Sequence, residues 1–400
     1  MTKRIAIFCD GTWNRHDAPH PTNVVRLAQA VKLTDDTGER ERKQQVFYLL
    51  GVGSGRGSNQ FARVMDRVAG GALGWGLMDN VIDAYRNLIF CYEPGDEIHI
   101  FGFSRGAYTA RSLAGLIRFA GILTRENLRM LPEVVAEYKA RAKWERLDNP
   151  ELYKLRKKWS PHVVTSDLEF EDRLKKPETL FVKVNIAYLG VFDTVGALGV
   201  PGFLSIASVL NRGYKFHDAR LSRTVGSARH AVAIDERRKT FPPTLWQHLD
   251  KHNRRYLGLE EDAPLTEHPR ETWGFRQEWF PGDHGSIGGG GDRKGLSSYT
   301  FDWIAEGAQK AGLAMDPKKL AELREEADIR DPVVNKSKVG LTTKMLQMIS
   351  SDRDGPEDLL DVSDAAMERV RCDLDYAPKT LAKVIDRLPR DGKDLLPPDR

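Results

Sequence analysis

The stretch that decides the fold runs from Gly95 to Gly121: Gly-Asp-Glu-Ile-His-Ile-Phe-Gly-Phe-Ser-Arg-Gly-Ala-Tyr-Thr-Ala-Arg-Ser-Leu-Ala-Gly-Leu-Ile-Arg-Phe-Ala-Gly. A short apolar run, Ile98 to Phe101, reads as a buried strand leaving the Pro94-Gly95-Asp96 turn. Beyond Gly102 the period changes: Ala107, Ala110, Leu113, Ala114 and Ile117 recur at three and four residues and predict a helix with one apolar face. Ser104 therefore lies in a strand-to-helix turn inside a G-x-S-x-G, with Gly102 and Gly106 allowing the close backbone approach that side chains would block. A serine hydroxyl becomes a useful nucleophile when it is lifted clear of a sheet and given a base. Ser104 is the candidate, and the N–H of Arg105 is the expected oxyanion donor, needing only its amide. A serine capping a helix in a tight glycine turn would have the same local signature.

A chain of 400 residues suits one large α/β domain with embellishments. With 61 basic and 57 acidic residues the net charge is +4 and the signs are interspersed, so there is no nucleic-acid footprint. Cys9, Cys91 and Cys372 show neither metal spacing nor a disulfide framework, which points to a reducing compartment. The opening Met-Thr-Lys-Arg-Ile-Ala-Ile-Phe-Cys is too short an apolar run for a signal peptide, and no stretch approaches the roughly 20 apolar residues of a membrane span. A cytoplasmic protein is expected.

The first strand, Ile5 to Cys9, ends in Asp10-Gly11-Thr12-Trp13-Asn14. A metal-dependent phosphoester hydrolase built on Asp10 is one reading, but Phe8 occupies the position of the nucleophilic aspartate in the D-x-D-G-T pattern of haloacid-dehalogenase phosphatases. The other is a site loop at the carboxyl edge of a sheet. There Gly11 or Thr12 offers the second oxyanion N–H, Asp10 orients the loop, and Asp10 and Trp13 stand near substrate. Gly51-Val-Gly-Ser-Gly-Arg-Gly has no G-K-[ST] and reads as a rim loop, not a phosphate cradle.

From about residue 125 to 176 charged residues alternate with sparse apolar anchors, a helical insertion that either caps the site or is simply solvated. The core resumes with the β-rich Thr179 to Phe192, and Asp193 at its end is the candidate triad acid, although turn residues have the same look. Ser222 to Arg238 reads as a helix carrying His230, a competitor for the base. The preferred base is His284, in a loop after an aromatic strand, Phe275 to Phe280, and a Pro281-Gly282 turn. Ser104, Asp193 and His284 fall at three strand ends in the chain order of α/β-hydrolases.

These motifs together resemble the DUF2235 family, whose catalytic domain is shared with Tle1-type phospholipase effectors of type VI secretion. The resemblance is carried by Phe8 to Asn14, Gly51 to Ser54, Gly102 to Arg111, Val191 to Gly196, His230 to Arg238 and Phe280 to Gly289, and covers the chain to about residue 310. It implies an α/β-hydrolase-like fold, a mostly parallel sheet with helices on both faces, and a triad of Ser104, Asp193 and His284. His284-Gly-Ser-Ile-Gly stands where the family often has His-Ser-Asp-Val-Gly, so an acidic neighbour of the histidine is missing.

The expected organisation is a catalytic domain over residues 1–312 and a helical extension over 313–400 docked on it, with Leu341, Met345, Met348 and Ile349 on one side. The expected activity is hydrolysis of a carboxylic ester through an acyl-enzyme, with no metal or organic cofactor and with a small-molecule or lipid substrate. A lipid-like acyl group is suggested by Trp13, Trp273, Trp279 and Phe280 near the site loops. A catalytically silent interaction protein on the same fold is the third reading.

Overall fold

The structure is a computed structural model that describes all residues except 1, 13, 15, 39–40, 52–71, 142–143, 145, 176–177, 197–220, 240, 338–349 and 391–400. Trp13, the rim loop beyond Gly51, and Leu341, Met345, Met348 and Ile349 lie outside the described residues.

In chain order come β1 (Arg4–Cys9), α1 (Asn23–Ala30), β2 (Thr34–Asp35), β3 (Arg42–Leu49), α2 (Ala72–Cys91), β4 (Glu97–Phe103) and α3 (Arg105–Ala120). The insertion supplies α4 (Leu131–Lys139), α5 (Pro150–Trp159), β5 (Val163–Val164) and α6 (Asp167–Leu174). The core then returns with β6 (Val182–Lys183), β7 (Asn185–Phe192), β8 (Val225–Ala233), α7 (Leu249–Tyr256), β9 (Phe275–Phe280), α8 (His284–Gly288) and α9 (Gly295–Lys310). Two further helices, α10 (Pro317–Glu325) and α11 (Asp364–Cys372), follow.

Seven strands form one sheet in the order β2-β3-β1-β4-β7-β8-β9, parallel throughout except for the antiparallel β2. The central strands are apolar on both faces, as a sheet covered on both sides requires. Ile5, Ile7, Ile98 and Ile100 enter one core with α2 and α3, whereas Ala6, Phe8, Phe101 and Phe103 enter the other with α1 and α9. This is the mostly parallel, doubly covered α/β sheet expected.

One element differs from its reading. Residues 225–233 form β8, not part of a helix, because Ala228, Ala231 and Ala233 alternate into opposite cores while the backbone pairs with β7 and β9. The alanine-rich spacing mimics a helix, and burial between two strands overrides that local preference.

The insertion is knit by buried charge: Arg156 reaches Glu169 and Thr165, and Arg173 also meets Glu169, at 2.7 Å. It packs on the face of the sheet that carries α3, through Leu131, Val134, Leu152 and Trp159. After α9 the chain crosses the β9 edge, where Val362, Ala366, Val370, Leu381 and Val384 enclose Val232, Ile234 and Trp279 in a third apolar cluster. A parallel bridge joins Trp279 to Val362. No helix among the described residues is long and apolar enough to cross a membrane.

Candidate active site

Parallel strands end at a common edge, so β1, β4, β7 and β9 deliver Asp10, Ser104, Asp193 and His284 to the same rim. Ser104 sits between β4 and α3 with φ 56° and ψ −122°, a conformation that costs an L-residue strain. The tightness of the turn explains its glycines. A Cβ on Gly102 would lie 2.5 Å from the Gly106 carbonyl oxygen, and one on Gly106 would lie 2.1 Å from that of Cys9. Ser104 is also tied to the neighbouring strand: its N–H donates to Phe192 O at 3.0 Å, and its carbonyl accepts from Val195 N at 3.4 Å. The two segments carrying Ser104 and Asp193 are thus locked together by backbone bonds on either side of the acid.

Asp193 is fully buried and also has positive φ, 35°. Its Oδ2 accepts from His284 Nδ1 at 2.6 Å, and its Oδ1 from the Ala233 N–H at 3.0 Å. Because a carboxylate only accepts, Nδ1 carries a proton, and in the neutral imidazole that tautomer leaves the lone pair on Nε2. Burial would raise the Asp193 carboxyl, but the charge of Arg353, then the bond from His284, hold it well below the usual carboxylate range.

His284 is the first residue of the short helix α8, not a loop residue, and is placed by Asp283, whose Oδ1 accepts from Ser286 N at 2.8 Å. Its ring lies between Phe103 and Phe241, with centroids 4.7 and 4.9 Å away. Its backbone N–H reaches Glu236 Oε2 at 3.3 Å. Ser104 and His284 line the same cavity of about 720 Å³, together with Thr12, Asn14, Arg105 and Arg238 among others. The apolar lining is Phe103, Phe241, Val333 and Val334. None of the described lining residues comes from the insertion at 125–176.

Of the other sequence candidates, Thr12 and Arg105 reach this cavity and Asp10 does not. Gly11 approaches Ser104 so closely that a Cβ on it would lie 3.3 Å from the serine Cβ, and Thr12 and Arg105 line the cavity. Asp10 is buried, with both oxygens committed: Oδ1 accepts from Gly11 N (2.7 Å) and Asn14 Nδ2 (3.3 Å), Oδ2 from Thr22 Oγ1 (2.7 Å) and Tyr48 Oη (2.6 Å). It orients the loop and is not in the lining. No group of three His, Cys, Asp or Glu among the described residues is arranged to hold a metal ion.

His230, the competing base, is buried in β8 with both nitrogens used, Nε2 by Thr194 N at 3.1 Å and Nδ1 by Gln277 Oε1 at 2.9 Å. Burial, then the nearby Arg111 charge, push its pKa down to about 3, so it stays neutral and fixes the backbone beside Asp193. Trp279 and Phe280 lie in the apolar cores, Trp273 bonds to His268 O, and none of the three lines the cavity. The aromatic part of the wall is Phe103 and Phe241 instead.

Sequence reading missed Arg353. Its guanidinium donates to Asp193 Oδ1 at 2.6 Å and Oδ2 at 2.9 Å, and to the carbonyls of Ala233 and Phe241 at 3.0 and 2.7 Å. Arg238, also unassigned, forks onto Glu236 at 2.8 and 2.7 Å and lies 3.8 Å over the Phe241 ring.

The sheet order and the placement of these side chains at its carboxyl edge define an α/β-hydrolase-like protein. Residues 3–307 match the family described as the T6SS phospholipase effector Tle1-like catalytic domain, and the chain belongs to that family. It is 29% identical over 252 residues to the uncharacterized protein YEL023C of Saccharomyces cerevisiae, a match spanning 60% of this chain and 32% of that one. Two solved structures are similar at 16% identity: an uncharacterized protein from Pseudomonas aeruginosa (TM-score 0.40, 82% of this chain and 49% of that one) and the Tle1 effector bound to the VgrG spike (TM-score 0.34, 72% and 51%). The chain thus spans about a third of its yeast relative and about half of each solved chain.

Proposed function

We propose that the protein is a serine hydrolase of carboxylic esters, of the phospholipase or esterase type. The observation that carries this reading is the 2.6 Å bond from His284 Nδ1 to a buried, ionised Asp193, with the ring on the wall of the cavity that Ser104 enters from a strained turn. Membership in a phospholipase effector family supports the same substrate class.

In the proposed cycle His284 Nε2 takes the proton of Ser104 Oγ as that oxygen attacks the ester carbonyl. Asp193 holds the imidazole in the required tautomer and stabilises the imidazolium without taking the proton. The tetrahedral oxyanion is met by the N–H of Arg105 and by the N–H of Thr12, since the Gly11 N–H is spent on Asp10 Oδ1 at 2.7 Å. Collapse returns the proton from His284 to the departing alcohol and leaves an acyl-enzyme on Ser104. Water, deprotonated by the same histidine, then releases the acid. Phe103, Phe241, Val333 and Val334 give the cavity an apolar wall against which an acyl chain would lie. An acyl-length series of p-nitrophenyl esters from acetyl to palmitoyl tests the lipid assignment. A medium or long chain should be preferred, and activity confined to acetyl would overturn it.

A further inference from the structure

One charge in the cavity has no counterpart among the described residues. Four cationic side chains line it, and two of them are paired: Arg238 with Glu236, and Arg237 Nε with Asp352 Oδ1 at 2.9 Å. Lys336 is exposed at the rim. Arg105 is different, for it is half-buried in the lining and no carboxylate or other acceptor among the described residues meets its guanidinium. Burial alone lowers its pKa, to about 10, so it remains cationic at neutral pH. A partly desolvated guanidinium that faces a cavity without a protein acceptor is a ready site for an anion.

The acids facing the same space do not supply that partner. Asp235 Oδ2 is taken by Gly282 N at 2.6 Å and Tyr376 Oη at 2.7 Å, and Asp283 caps α8. Burial raises both carboxyls despite those bonds, while Glu236 is committed to Arg238. Thr12 adds a buried hydroxyl, Oγ1, with no hydrogen-bond partner, on the same wall.

We infer that the Arg105 side chain is an anion subsite that binds the phosphate of a phosphate-bearing carboxylic ester while the acyl carbonyl of the same molecule lies at Ser104. The inference rests on the reading of Ser104 as nucleophile. Arg105 follows Ser104 directly, so the amide and the guanidinium of one residue serve two groups of the substrate that are a few bonds apart, an arrangement suited to an acylated glycerol phosphate. A guanidinium fork matches phosphate oxygens, and the Thr12 hydroxyl can donate to a third.

The test compares wild type, Arg105→Lys and Arg105→Met on two soluble substrates, dihexanoyl phosphatidylglycerol and the neutral p-nitrophenyl hexanoate. The ratio of kcat/KM for the phospholipid to that for the neutral ester should fall at least tenfold in Arg105→Met, mainly through KM, and less in Arg105→Lys. An unchanged ratio would overturn the subsite. In the Ser104→Ala background, calorimetry with glycerophosphoglycerol and with inorganic phosphate separates the two sources of the anion. Tighter binding of the headgroup, lost with Arg105→Met, supports the inference, whereas phosphate bound as tightly as the headgroup, or binding unaffected by Arg105→Met, contradicts it. Arg105→Met should melt no lower than wild type, because it breaks no bond to an acceptor among the described residues, and a lower Tm would mark Arg105 as structural. Headgroup binding that Arg105→Met abolishes, in a protein whose wild-type Ser104 no fluorophosphonate labels, would sink the nucleophile reading and leave the anion site standing.

Discussion

Arg353 and Asp193, 160 residues apart, meet through two parallel hydrogen bonds of 2.6 and 2.9 Å, one to each carboxylate oxygen. The arginine lies beyond the residues that match the catalytic-domain family, so the segment after α9 contributes directly to the site. It lets Asp193 stay ionised in an interior where a lone carboxylate would be neutralised, and it leaves Oδ2 aimed at His284. Removing one partner of such a buried pair typically costs about 3–5 kcal/mol. Arg353→Met is therefore expected to lower the unfolding free energy by an amount of that order and kcat by at least tenfold. Arg353→Lys should recover part of both, and guanidinium added to Arg353→Ala should restore activity in a concentration-dependent way. Denaturant unfolding and esterase kinetics measure these effects.

Asp193 also fixes the acid limb of stability. Its folded carboxyl is held below the ordinary value, so above the unfolded value near ~3.9 its stabilisation is fully present. As pH falls below that point the unfolded chain takes up the proton first, and stability declines toward the folded pKa. In Asp193→Asn this part of the slope should be missing between about pH 4 and pH 2, as followed by urea unfolding at each pH. The same variant should lose about 10³–10⁴-fold in kcat at neutral pH, because an amide no longer enforces the Nδ1–H tautomer of His284.

The backbone at Ser104 stores strain that glycine would release. At φ 56° and ψ −122° an L-residue is held at a cost on the order of 1–3 kcal/mol, so Ser104→Gly should raise the unfolding free energy by about 1 kcal/mol while removing all hydrolysis. Ser104→Ala keeps the strain and should be close to wild type in stability. A Ser104→Gly protein less stable than Ser104→Ala would show that the turn is not strained.

Asp10 separates the ester reading from a metal-dependent phosphoester one. Its four donors come from Gly11, Asn14, Thr22 and Tyr48, so Asp10→Asn confronts two hydroxyl donors with a group that accepts less and should cost about 1–3 kcal/mol. Ester hydrolysis by wild type should be indifferent to EDTA. Inhibition reversed by Mg²⁺ would favour the phosphoester alternative.

Much of the candidate site was legible because Ser104 and Asp193 directly follow buried strands, His284 comes four residues after one, and small residues near each mark a tight turn. Ser104 lies between Gly102 and Gly106, Asp193 follows Val191-Phe192, and His284 follows Pro281-Gly282. Such local punctuation survives in the sequence. Arg353 has none, since Asp352-Arg353-Asp354-Gly355 reads as a charged turn and its partner lies far along the chain. β8 was misread because Ala228, His230, Ala231 and Ala233 have helical spacing as well as strand alternation, and only the strands on either side decide between them. Trp279 and Phe280 flank the site in sequence, but strand alternation sends Trp279 into the cluster with Val362 and Phe280 into the core of α9.

The most direct measurement is labelling of the intact protein with a fluorophosphonate probe, with the modified residue located by peptide mass spectrometry. Wild type should be modified stoichiometrically at Ser104, Asp193→Asn and His284→Ala far more slowly, and Ser104→Ala not at all. Wild-type protein that is folded yet unlabelled, or a Ser104→Ala protein labelled as fast as wild type, would contradict the proposal that Ser104, His284 and Asp193 act as one nucleophilic unit.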